Sequence, residues 1–304
     1  MIKIVTRNSK LAIWQAEFIS QKLKVGGIAN ELLPISTKGD KILDVTLSKI
    51  GSKGVFTEEL ENMLAAGEAD IAVHSAKDLQ STLPDGFEIL AFTEREKVND
   101  VLLSRNSLTL EDSFTVGTSS TRRVAFLKHQ FPHLQIVDMR GNLQTRIAKM
   151  DRGDCDALLL AYAGVQRMGY SNLIKHTFPI DHFMPAVGQG SLAVECHKRL
   201  DPSLKKNIFG LLNHPNTSKC LKAERAYLAT MNGGCSIPVF GTASCTGNNI
   251  HLTAGIVALN GKIKLQESLR GEDPIKLGQE MGKLILNQGG YNILQEIRRA
   301  LNQP

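Results

Sequence analysis

Two stretches of this chain repeat one order of elements, and that repetition limits the possible folds more than any single motif does. Residues 3–6 read as a strand, 11–23 as a helix, 31–36 as a strand ending in Thr37-Lys38-Gly39-Asp40, and 57–66 as a helix; Gly67-Glu68-Ala69-Asp70 then precedes an apolar strand at 71–73. The second stretch runs the same way: strand 114–116, helix 121–128, strand 134–138 ending in Met139-Arg140-Gly141-Asn142, helix 143–150, and Gly153-Asp154-Cys155-Asp156 before the apolar strand 157–160. Strands alternating with helices through short connections predict two α/β lobes of similar build with largely parallel sheets.

The polar run 94–99 reads as one crossing between the lobes and 184–190 as the return, after which 191–197 is a strand rejoining the first lobe. Two crossings make a hinge with a cleft between the lobes. From about Pro215 a third unit follows: a helix at 218–231, a loop around Cys235, and strands at 239–244, 250–259 and 262–270. Asn260-Gly261 signals a type I′ hairpin, and 274–288 is a closing amphipathic helix. The expected division is 1–95 with 191–213 as the first lobe, 99–184 as the second, and 215–304 as a C-terminal α+β domain.

Ligands of such sheets bind beyond the carboxyl ends of the strands, at helix N-termini. The residues falling there are Arg7 and Ser9, Lys38 to Asp40, His74 to Asp78, Thr118 to Arg123, Arg140 to Asn142, and the segment 161–167. Nearly every polar one is a cation, a hydroxyl or a glycine. The formal charge of +6 fits nucleic acid, an acidic membrane surface or a small polyanion. Aromatic residues make up only 5% of the 304, there is no lysine-rich arm, and the arginines recur singly or in pairs beside Ser, Thr and Gly. That placement favours a pocket for a small multivalent anion over a nucleic-acid surface. No run of 18 apolar residues and no signal-peptide pattern occurs, so the expected location is the cytoplasm.

Gly117-Thr118-Ser119-Ser120-Thr121-Arg122-Arg123 is the strongest local anion signal, because backbone NH groups, hydroxyls and two guanidiniums fall within one helical turn. The same residues also make an ordinary N-cap followed by a solvated arginine pair. Asp78, in His74-Ser75-Ala76-Lys77-Asp78, stays ionised among so many cations and is suited to face positive charge developing on a substrate. It equally suits capping the next turn or pairing with Lys77. Lys49 and Lys53, around Gly51-Ser52 and Gly54, lie in a polar loop inserted only in the first half, which is either a cover over the cleft or a long solvated loop.

Five cysteines at wide spacings (Cys155, Cys196, Cys220, Cys235, Cys245) read as reduced thiols. Cys235 differs from the rest: two glycines precede it, giving close access, yet no Cys-x-x-Cys, zinc spacing or nearby His or Lys accompanies it. That setting suits attachment rather than turnover.

With these motifs laid out, the chain resembles the porphobilinogen deaminase family, the hydroxymethylbilane synthases. The likeness runs through Thr6-Arg7-Asn8-Ser9 with Trp14-Gln15-Ala16, Lys53-Gly54-Val55-Phe56, Ala72 to Asp78, Gly117 to Arg123, Arg140-Gly141-Asn142, Pro185 to Gly190 and Gly233-Gly234-Cys235. The resemblance implies hinged lobes like periplasmic-binding-protein domains. It implies head-to-tail condensation of four porphobilinogen molecules into hydroxymethylbilane with loss of ammonia each time, on a dipyrromethane cofactor held by a thioether to Cys235. It assigns Asp78 to the pyrrole nitrogens and to the cationic azafulvene formed as ammonia leaves. Ser75, Lys77, Thr118, Ser119, Ser120, Arg122, Arg123 and Arg140 go to the cofactor; Arg7, Ser9, Arg146, Arg167 and Gln189 go to substrate. Lys49 and Lys53 are implied as a lid, no metal is implied, and a monomer without nucleic-acid or membrane partners is expected. A solute-binding or ligand-sensing module would also explain cleft and arginines, but it leaves Cys235 and the third domain without a role.

Overall fold

The computed structural model describes residues 1–41, 54, 56–234 and 236–302. Lys49, Lys53 and Cys235 lie outside the described residues. The first lobe begins with β1 (Ile2–Arg7), α1 (Lys10–Val25), β2 (Asn30–Ile35), the short α2 (Lys38–Lys41), α3 (Glu58–Ala66), β3 (Ile71–Ser75) and β4 (Phe87–Phe92). The second contains β5 (Asp100–Leu103), β6 (Thr115–Gly117), α4 (Thr121–Gln130), β7 (Gln135–Val137), α5 (Leu143–Asp151), β8 (Ala157–Ala161), α6 (Tyr162–Arg167) and β9 (Ile174–Thr177). β10 (Leu192–His197) and α7 (Pro202–Leu212) follow, then α8 (Pro215–Thr230), β11 (Val239–Thr246), β12 (Asn249–Val257), β13 (Lys264–Gly271), α9 (Pro274–Ile285) and α10 (Tyr291–Asn302).

The repetition read in the sequence is present in the sheets. One five-stranded sheet has the order β2-β1-β3-β10-β4 and the other β7-β6-β8-β5-β9, while β11-β12-β13 form a third. β10 does rejoin the first sheet. In each five-stranded sheet the strand reached by a crossing, β10 or β5, pairs antiparallel with both neighbours, whereas β1 and β6 pair parallel with theirs. The sheets are therefore evenly mixed rather than largely parallel. A strand entering from the opposite lobe arrives at the ligand end of the sheet and must run back along it.

Local chemistry sets the helix starts. Ser9 caps α1 by accepting from Ala12 N, and α1 buries Ala12, Ala16, Ile19 and Leu23 at helical spacing against the first sheet. α8 starts earlier than the expected residue 218, because His214 accepts from Thr217 N and Pro215 occupies the first turn, where a missing NH costs nothing. The Asn260-Gly261 turn is not type I′. Only Gly261 takes positive φ there, and its NH returns to Ala258 O.

The C-terminal domain is joined to both lobes. Phe240 and Val257 complete a core with Phe126, Phe178 and Phe183 of the second lobe, while Leu221 of α8 packs with Ala76, Leu79 and Phe92 of the first. Glu224 of α8, fully buried, ties the two crossings to this domain: it pairs with Arg95 and accepts from Gly188 N at 2.9 Å and Ala243 N at 2.8 Å. Arg95 Nε in turn donates to Gln189 O at 2.8 Å. Gly188 and Gly190, at φ +78° and +97°, let the return crossing lie directly on its neighbours; a Cβ at 188 would fall 2.9 Å from Lys77 N and one at 190 would fall 2.5 Å from Glu96 O. Breaking a buried ion pair by removing one partner typically costs about 3–5 kcal/mol. Glu224→Ala is accordingly expected to lower the urea midpoint of unfolding by a loss on that scale, measured by circular dichroism, and a midpoint unchanged from the parent would show that Glu224 does not hold the crossings.

Candidate active site

β3 ends at Ser75 and enters a single 3₁₀ turn, Ala76–Asp78, so Lys77 and Asp78 stand just beyond the carboxyl end of the sheet. The parallel neighbour β1 ends alongside, and a pocket here is lined by Arg7, Ser9, Gln15, Phe56, Ser75 and Asp78. Ser75 is held by Gln15 Nε2 at 2.8 Å, and the Arg7 guanidinium lies 4.2 Å from the centre of the Phe56 ring. Beneath the turn, His74 and Glu195 face each other at 3.0 Å with almost no exposure.

From the second lobe, β6 ends at Gly117 and leads through Thr118–Ser120 into α4. Ser119 Oγ accepts from Met139 N at 3.0 Å and Thr118 Oγ1 from Ser120 N at 3.3 Å, which fixes this loop to the end of β7. Ser120 makes no side-chain cap bond, so the first turn of α4 presents backbone NH groups toward the cleft end of the sheet.

The two adjacent arginines are not solvated, nor do they reach freely into the cleft. Both close on Asp100, a fully buried carboxylate at the start of β5: Arg122 Nη2 at 2.6 Å, Arg123 Nη2 at 2.7 Å and Arg123 Nε at 3.1 Å. Arg122 Nη1 donates to Met184 O and Arg123 Nη1 to Leu159 O. Burial alone would raise the Asp100 carboxyl, but the two guanidiniums overcome it and hold the group well below the ordinary carboxylate range. Sequence reading missed Asp100, whose only local signal is an acid opening the apolar run Val101–Leu103.

Gln189 is likewise built into the scaffold. Its Nε2 donates to Val98 O at 2.6 Å and Asp100 Oδ1 at 3.0 Å, and its Oε1 accepts from Lys77 Nζ at 3.4 Å. Its amide thus forms a strut between the crossings, Asp100 and Lys77. Arg167 donates to Gly190 O at 2.8 Å with its guanidinium 5.6 Å from the Trp14 ring centre, which places it between the lobes at the return crossing.

Arg140 and Arg146 are less completely engaged. Arg140 is buried with Nη1 lacking a partner among the described residues, and Arg122 Nε is in the same state. Arg146 donates Nε to Gly141 O at 2.8 Å; burial first, then the nearby charges of Arg123 and Arg140, lower it to about 10, with Asp78 of the opposite lobe partly offsetting. Lys77 is lowered to about 8, chiefly by burial and then by Arg123, with Asp78 and Asp100 pulling the other way. Cations from both lobes therefore converge on Asp78 in numbers that the local carboxylates do not balance.

Four thiols are described. Burial pushes Cys155 up to about 11 and Cys196 and Cys220 up to about 12, far from thiolate at neutral pH, while Cys245 donates to Gly247 O.

A sequence profile described as "Porphobilinogen deaminase, dipyromethane cofactor binding domain" matches residues 2–205, and one described as "Porphobilinogen deaminase, C-terminal domain" matches 218–287. The chain is 50% identical over 304 residues to a porphobilinogen deaminase of Desulfosudis oleivorans, covering 98% of each chain. The chain belongs to the porphobilinogen deaminase family. It is also 50% identical to a family member from Cytophaga hutchinsonii over 307 residues, covering 99% of this chain and 98% of the relative. Among solved structures, the second substrate-binding domain of a putative amino acid ABC transporter from Streptococcus pneumoniae is similar at a TM-score of 0.43 and 14% identity, over 69% of this chain and 91% of that one.

The family's dipyrromethane cofactor fits the residues present. A group bearing several carboxylates supplies what the cleft lacks: acceptors for the unpartnered Arg140 Nη1 and Arg122 Nε, and negative charge beside the disfavoured cations of Lys77 and Arg146. The titration of Lys77 gives a sign to test. With its pKa near 8, the ammonium is complete below that pH and lost above it. Carboxylate affinity of the cofactor-free Cys235→Ala chain is thus expected to fall as pH rises from 7 to 9, measured calorimetrically with glutarate. In Lys77→Met it should be weaker and level over this range; an equally steep fall in Lys77→Met would show that another group titrates.

Proposed function

We propose that this chain is a hydroxymethylbilane synthase that joins four porphobilinogen molecules head to tail, releasing ammonia at each step. The observation that carries the reading is the position of Asp78: at the end of β3, across the cleft from Arg146, in a site otherwise rich in cations. Arginines suit a substrate whose every unit bears an acetate and a propionate, whereas a carboxylate at their centre suits a cation.

In each step the bond from the substrate's aminomethyl carbon to nitrogen breaks, ammonia departs, a carbon–carbon bond forms, and the attacked pyrrole carbon loses its proton. The dipyrromethane group, attached through Cys235, supplies the pyrrole carbon from which the chain grows. Asp78 offsets the positive charge left on the substrate as ammonia leaves. A carboxylate about 4 Å from a full charge is worth on the order of 4 kcal/mol at an effective dielectric near 20. Realised mainly in the transition state, that is about three powers of ten in rate. Arg140 and Arg146, with Lys77, hold carboxylates of the cofactor and the growing chain, and the NH groups opening α4 add to that hold. Arg122 and Arg123, fixed on Asp100, keep the wall positive and in place. Arg7 and Ser9 border Asp78 from the first lobe, and Arg167 stands at the crossing, where each incoming unit passes from one lobe toward the other.

The working unit we infer is a cytoplasmic monomer of three domains, 1–95 with 191–213, 99–184 and 215–304. Membership of β10 in the first sheet supports these boundaries, and no described helix is long and apolar enough to cross a membrane.

Incubating the purified chain with porphobilinogen and acidifying in air tests the reading. Porphyrin absorbance is expected from the parent, and none would contradict the function. Asp78→Asn keeps shape and hydrogen bonding but removes the charge, so its turnover at saturating porphobilinogen should drop about a thousandfold; turnover within a factor of ten of the parent would remove the role given to Asp78.

A further inference from the structure

A cavity of about 500 Å³ lies away from the cleft, between β4 of the first lobe and α8 and α9 of the C-terminal domain. Its size is that of a pocket for a small organic ligand. Ile89 and Phe92 form one wall, Ala226 and Ala229 the facing one, and Ile275 part of the rim. Among the described residues its charged ones are Lys222 and Arg225, and no described carboxylate lines it. Both cations and the small alanines come from one face of α8, at successive helical turns.

Arg225 links this cavity to the catalytic turn. Its Nη2 donates to Gln80 O at 2.7 Å and Ser81 O at 3.4 Å, two and three residues beyond Asp78. Its Nε and Nη1 have no acceptor among the described residues. Burial lowers the guanidinium to about 10, and the favourable charge nearby is the buried Glu195 behind β3. Lys222 is exposed and makes no ion pair among the described residues. Apolar walls, two cations and open guanidinium donors together describe a receptor for an anion with a hydrophobic body. An apolar ligand would cover Arg225 Nε and Nη1 without giving them an acceptor, and a small inorganic anion would leave the apolar walls wet.

We propose that this cavity is a second ligand site, distinct from the tetrapyrrole cleft, that binds an aromatic carboxylate or sulfonate of two or three rings, with the rings between β4 and α8 and the anion on Arg225 and Lys222. Occupancy fixes Arg225, and through it the Gln80 and Ser81 carbonyls, so the site reports to the segment that carries Asp78. Nothing in this binding depends on the reaction proposed for the cleft.

The probe is 8-anilinonaphthalene-1-sulfonate, titrated into the purified full-length chain and followed by its fluorescence. One saturable site is expected. Lys222→Glu, at an exposed position that tolerates the change, should weaken binding about tenfold or more, the effect of exchanging one favourable charge for an unfavourable one. Ala229→Phe, which fills the cavity from an exposed helix position, should abolish it. N-phenyl-1-naphthylamine, with the same rings and no sulfonate, should bind at least about tenfold more weakly. Hydrogen exchange in the segment 78–83 should slow on addition of the sulfonate to the parent and stay unchanged in Ala229→Phe. Absence of saturable binding, affinity unaltered in Lys222→Glu or Ala229→Phe, equal binding of the uncharged analogue, or no protection of the segment would each overturn the proposal.

Discussion

Positive charge gathered between two lobes, beyond what its carboxylates neutralise, is the constraint on which the rest of this molecule depends. Asp100 manages part of it. One fully buried carboxylate takes both guanidiniums of the α4 start and the Gln189 amide, so that three otherwise costly buried donors become a rigid wall. What remains, in Arg140, Arg146 and Lys77, has no such carboxylate partner among the described residues, and burial first, then neighbouring guanidiniums, lowers Lys77 and Arg146. A polyanion bound there would favour the charged forms of these groups and so couple ligand binding to the stability of the cleft.

The crossings carry the geometry that makes this work. Two segments connecting the lobes meet at Glu224 of the C-terminal domain, and the return segment lies so close to Lys77 and Glu96 that glycine is required at 188 and 190. The Asp78 turn, the Asp100 wall and the helix preceding Cys235 thus share one set of contacts. Phe240 and Val257 extend the second lobe's core into the C-terminal domain, while Leu221 and Arg225 bind that domain to the first lobe. A change in one domain has a short physical route to the others.

Much of this was legible in the residues, and for a local reason. Clusters of hydroxyls, cations and glycine sit where strands end and helices begin, so Ser75 to Asp78, Thr118 to Arg123 and Arg140 to Asn142 could be placed at the ends of the strands from their neighbours alone. Partnerships between distant residues could not. Arg95 and Glu224 are 129 positions apart, and Asp100 gives no local sign that it will hold Arg122 and Arg123. Their pairing anchors two expected ligand arginines on Asp100 while Arg122 Nε stays without a partner among the described residues, and the Gln189 amide is engaged in the same way. Strand direction was equally hidden: 191–197 reads as a strand by composition, but only the crossing that delivers it makes it run antiparallel. The Asn260-Gly261 dipeptide read as type I′, yet only Gly261 takes positive φ, and its carbonyl meets His129 Nδ1 of the second lobe, a contact 132 positions away that the dipeptide does not reveal.

The attachment proposed at Cys235 would join the cofactor to the chain, and an intact mass of the purified protein, after boiling in thiol and denaturant, tests that directly. A thioether survives conditions that reduce every disulfide. The chain is expected to be heavier than its sequence by two linked pyrroles, with the whole increment on the tryptic peptide containing Cys235. An active chain at its sequence mass, or an increment carried by Cys155, Cys196, Cys220 or Cys245, would contradict it.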